Sequence, residues 1–87
     1  MHEFCIIVFY SSQHAMYFES RLKYLGLNVA VMPTPRGITQ GCSYSIRFSI
    51  EDFEKVAQEY DKIKFPIAGI FKVMMMYGKY KAVEKLK

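Results

Sequence analysis

A chain of 87 residues, 52% of them hydrophobic, is long enough for one core, too short for two, and too apolar to stay disordered. The formal charge of +4 is mild, and no apolar run escapes charged residues for long enough to span a bilayer. The opening Met-His-Glu-Phe lacks the basic start of a secretory leader, so a cytoplasmic location and reduced thiols at Cys5 and Cys42 are expected.

Phe4 to Tyr10 is a continuous apolar run of β-branched and aromatic residues, the pattern of a central strand covered on both faces. Ser11 or Ser12 can then cap a helix whose apolar positions are Ala15, Phe18, Leu22 and Leu25, with Gly26 as its stop. Asn28 to Met32 predicts a short second strand that ends at Pro33. Tyr44, Ile46 and Phe48 alternate with Ser43, Ser45 and Arg47, as a half-buried strand requires. Ser49 with Asp52 resembles a capping pair ahead of a second helix, whose stripe is Phe53, Val56, Ala57, Tyr60 and Ile63. Pro66 ends that helix, and Ile67 to about Met74 reads as a fourth strand.

The order β-α-β-β-α-β predicts an α+β fold, a ferredoxin-like sandwich of a four-stranded antiparallel sheet with two helices on one face and strand order 4-1-3-2. Residues 1–77 form this single domain, and 78–87 a basic tail, where Lys79, Lys81, Lys85 and Lys87 are opposed only by Glu84. The tail reads as a solvated end, its Tyr80, Val83 and Leu86 standing three apart. Helices can cover only one face of such a sheet, which leaves an apolar face and an expectation of a homodimer.

Pro33-Thr34-Pro35-Arg36-Gly37-Ile38-Thr39-Gln40-Gly41-Cys42 joins the second and third predicted strands. It is longer and chemically richer than a hairpin turn needs, and such loops on a rigid scaffold are where binding and chemistry concentrate. Topology puts it at the same end of the sheet as Ser11, Ser12, Gln13 and His14. Cys42, beside glycine and serine, is the reachable thiol, whereas Cys5 lies inside the first strand as a small buried hydrophobe. A helix N-terminus and Arg36 would favour the thiolate of Cys42. Arg36 also suits an anion, and His14 suits a hydrogen bond, a proton transfer or plain packing. The cysteine spacing matches neither a zinc site nor a Cys-x-x-Cys redox pair, and no cofactor is implied. The third strand lacks the glycine and aromatic pattern of RNA-recognition modules, so a nucleic-acid partner is not expected.

From Phe4 to about Val73 the chain resembles the small bacterial domains described as selenium/sulfur-carrier-like. Pro33-Thr34-Pro35-Arg36, Cys42 and Ile46-Arg47-Phe48 bear this most strongly, with Ser12-Gln13-His14-Ala15 and Ser49-Ile50-Glu51-Asp52 in support. The resemblance implies that Cys42 is the carrier position and that Arg36 and His14 belong to its site. It implies a carrier, rather than an enzyme, that passes a persulfide or selenide between sulfur- or selenium-transfer proteins. Ser11, Ser12 and Thr34 complete the set of candidate ligand-binding residues. The competing reading is a module that holds a small anion or metabolite in the same loop pocket, and a third is a dimeric interaction domain.

Overall fold

A computed structural model describes residues 2–39 and 43–87. Its sheet has five antiparallel strands, β1 (His2–Phe9), β2 (Ala30–Pro33), β3 (Tyr44–Phe48), β4 (Ile67–Met76) and β5 (Lys79–Lys85), in the order β2-β3-β1-β4-β5. The helices are α1 (Ser12–Tyr24) and α2 (Phe53–Ile63). The first four strands thus stand in the anticipated order. The departure from a four-stranded sandwich is β5, built from the residues read as a tail.

Strand β1 is central because six consecutive residues, Phe4 to Phe9, are buried. Cys5, Ile7 and Phe9 enter the core beneath the helices, with Phe18 and Leu22 from α1, Ile46 and Phe48 from β3, Val56 from α2 and Ile70 from β4. Phe9 and Phe18 meet ring to ring at 5.4 Å, and burying each side chain stabilises by about 1.5–3 kcal/mol. Phe4, Ile6 and Val8 point the other way and cluster with Val73.

Ser11 caps α1, its Oγ accepting from the His14 amide at 3.3 Å. At the other end the Leu22 and Lys23 carbonyls accept from Leu27 and Gly26, which satisfies orphan acceptors of the last turn. The expected Ser49–Asp52 side-chain cap does not form. A 3-10 turn, Ile50–Asp52, takes its place, and the Asp52 amide donates to the Ser49 carbonyl at 2.9 Å. Lys64 ends α2 in the left-handed region, two residues before Pro66.

Tyr77 and Gly78 turn β4 into β5 with both φ values positive, 54° and 76°. That is the backbone that two-residue hairpins matched to strand twist require. Pro33 is tolerated at the end of β2 because that strand lies on the sheet's edge. Among the described residues, no helix is long and apolar enough to cross a membrane.

Candidate functional site

The registers put the two expected segments at one end of the sheet. Tyr44 pairs with both Phe9 and Pro33, so the turn into α1 and the loop leaving β2 begin at the same level. From there they part. Ser11 and His14 serve the helix side, where the His14 ring stacks on Phe65 at 4.0 Å with the planes 7° apart. Ser12 opens α1 and is exposed. The loop instead leans over the face that the helices leave open.

Three contacts carry the loop there. Thr34 Oγ1 and Ser45 Oγ lie 2.8 Å apart, and Ser45 is fully buried on the open face. Ile38 packs on the cluster of Phe4, Ile6, Val8 and Val73. The hydroxyls of Thr39 and Ser43 bond at 2.7 Å. Pro35 is buried between these points, while Arg36 and Gly37 are exposed. The apolar face expected to be bare is therefore partly covered by the chain's own loop.

The loop divides that face into two hollows. One, of about 600 Å³, lies against β2 and is lined by Met32, Pro33, Thr34, Arg36, Thr39 and Ser43 among others. The second, of about 350 Å³, lies against β4 and β5. Arg36 and Gly37 border both. Farther along the open face the Arg47 guanidinium sits 4.1 Å from the centre of the Phe4 ring, so Arg47 lines the sheet surface rather than pairing with an acid.

Of the six candidate residues, the structure brings Thr34 and Arg36 together in one hollow. It sets Ser11, Ser12 and His14 on the other side of the sheet end. Among the described residues, no hydrogen bond, ion pair or ring contact links the two groups. The sixth candidate, Cys42, lies outside the described residues, as does Gly41. Cys5 is fully buried, and burial pushes its thiol up to about 11 against a smaller opposing pull from Lys72. A thiol so placed is a poor nucleophile at neutral pH.

Sequence reasoning missed two residues that build this site. Ser45 was assigned to a polar face, yet it is the buried partner that fixes Thr34. Ile38, the one large aliphatic residue between Pro33 and Cys42, was the available sign that this loop docks.

The family model described as "Putative Se/S carrier protein-like" matches residues 4–72. That span contains most of β1, both helices, the whole loop and most of β4, and it stops before β5. No curated protein and no solved structure matches the chain.

Proposed function

Because the chain belongs to the Se/S carrier protein-like family, we propose that it carries sulfur or selenium on Cys42 and passes it between partner proteins. The family match across the entire loop is the observation that supports this most. Ser43, the residue that follows Cys42 in the sequence, lines the larger hollow. Cys5, enclosed in the core, is unsuited to the task.

The transfer needs no cofactor and no redox change. The Cys42 thiolate attacks the outer sulfur of a donor persulfide, R–S–SH. A new S–S bond forms, the donor's S–S bond breaks, and its electron pair leaves with R–S⁻. The product, Cys42–S–SH, gives up its outer sulfur to an acceptor thiolate by the same step, which restores the Cys42 thiolate. A selenium atom in the outer position follows the same path. Arg36, exposed at the rim of the hollow, would draw anionic donors and favour the thiolate. Thr34, tied to Ser45, holds the loop's first arm. Ser11, Ser12 and His14 stand at the neighbouring end of the sheet, where Ser11 caps α1 and the His14 ring stacks on Phe65.

The test is sulfur delivery from a low-mass persulfide to an acceptor thiol through the purified chain. Cys42→Ser should abolish delivery and Cys5→Ser should leave it intact. Delivery that survives Cys42→Ser would overturn the assignment. The larger hollow favours a second reading, in which the loop holds a small anion or metabolite without covalent chemistry. Under that reading Cys42→Ser weakens binding of the ligand without blocking it.

A further inference from the structure

The smaller hollow is lined by Arg36, Gly37, Ile38, Phe71, Val83 and Lys85. Among the described residues two cations border it, and no carboxylate does. Val83 and Lys85 come from β5, beyond the family match, whereas Arg36, Gly37, Ile38 and Phe71 lie within it. Among the described residues, neither Lys85 nor Arg36 takes part in an ion pair, although five other cation–carboxylate contacts form.

The position of Lys85 is built into the sheet. Its Cα partner is Phe71, and the diagonal neighbour on the same face is Gly69, a glycine inside a strand. A Cβ added at Gly69 would stand 2.8 Å from Lys85 Cε, 3.0 Å from the Lys87 carbonyl oxygen and 3.2 Å from Phe71 Cε1. The φ of +150° at Gly69 disfavours a side chain as well. The bare backbone at Gly69 therefore leaves room for the lysine stem to run beside Phe71, and Lys85 borders the hollow. Glycine in a strand interior costs stability, and it commonly marks a close approach of this kind.

We propose that this hollow is a binding site for a carboxylate-bearing ligand with a small apolar body. Lys85 and Arg36 receive the anionic head, and Phe71, Val83 and Ile38 receive the body. An ammonium and a planar guanidinium, neither in an ion pair among the described residues, both suit a carboxylate. The site shares Arg36 with the proposed carrier site but needs no chemistry at Cys42.

The test is an amide-shift titration of the full chain by NMR at constant ionic strength, with benzoate and with inorganic phosphate as probes. The expected result is saturable shifts at Gly37, Ile38, Val83 and Lys85, with benzoate the tighter ligand. Lys85→Gln should weaken benzoate binding about tenfold, the loss of one net charge-assisted hydrogen bond. Lys79→Gln, at the other end of β5, should change it less than twofold. Shifts that do not saturate, phosphate binding as tight as benzoate, or equal effects of the two lysine changes would each overturn the proposal. Because the readout does not involve the thiol, failure here leaves the carrier reading untouched, and the converse holds.

Discussion

Replacing Thr34 with Val keeps the side chain's shape and removes only its hydroxyl, which makes it the sharpest probe of how the loop is held. In the native chain Thr34 Oγ1 lies 2.8 Å from Ser45 Oγ. Ser45 is fully buried, while Thr34 is half-buried. After Thr34→Val the Ser45 hydroxyl stays out of water without that partner, at a cost of about 1–3 kcal/mol. Ser45→Ala removes the buried group itself and leaves Thr34 able to reach solvent, so its cost is that of a net hydrogen bond, about 0.5–1.5 kcal/mol. The double variant should then be close to Ser45→Ala alone, a non-additivity that a double-mutant cycle reads directly. Urea unfolding is the assay, with the slope unchanged and the midpoint lowered. For a domain of this size each kcal/mol moves Tm by about 4–8 °C. If Ser45→Ala costs more than Thr34→Val, or the two effects add, the buried-hydroxyl argument is wrong.

Glu59 lies almost wholly buried on α2, and hydrogen bonds from Arg21 and then Lys62 hold its carboxyl below the usual carboxylate range. A depressed folded pKa contributes stability above the unfolded value, about 4.3 for Glu, and that contribution is lost as pH falls through the folded pKa. The urea midpoint of the native chain should therefore fall more steeply below about pH 4.3 than that of Glu59→Gln, and parallel acid curves would contradict the pairing. Per-cysteine iodoacetamide labelling at neutral pH should modify Cys42 and spare Cys5 until the chain unfolds, since the buried Cys5 thiol is pushed up to about 11. Arg36→Ala should slow labelling of Cys42, and an unchanged rate would remove Arg36 from the thiol's surroundings.

Much of the scaffold was legible because single residues carry strong local signals. The unbroken run from Phe4 to Tyr10 marked the central strand, one residue beyond its end at Phe9, and Pro66 marked the end of α2. A serine cap, Ser11 or Ser12, followed from its place before a helical stripe, and the structure selects Ser11. The fifth strand was hidden by two competing periods: Tyr80, Val83 and Leu86 stand three apart, while the pairing that β4 offers needs a period of two. A register shift between Met74 and Met75 blurs the alternation further. The boundary drawn between residues 77 and 78 falls on a hairpin turn made by Tyr77 and Gly78. The site was half legible. Topology brought the two segments to one end of the sheet, but could not say on which face each would lie. Ile38 and the buried Ser45 decide that by pulling the loop onto the open face. Lys85 and Gly69 meet only through strand pairing, so nothing in their separate neighbourhoods announced them.

The central claim is that Cys42 holds the transferred atom, and mass spectrometry of the chain purified without reductant tests it most directly. After cleavage and mapping, a mass increase of one sulfur or one selenium should be found on the peptide containing Cys42, removable by reductant and absent from the peptide containing Cys5. A Cys42 peptide that stays unmodified after exposure to a persulfide donor, while the folded chain retains a non-covalent ligand, would contradict the carrier account and leave the binding module in its place.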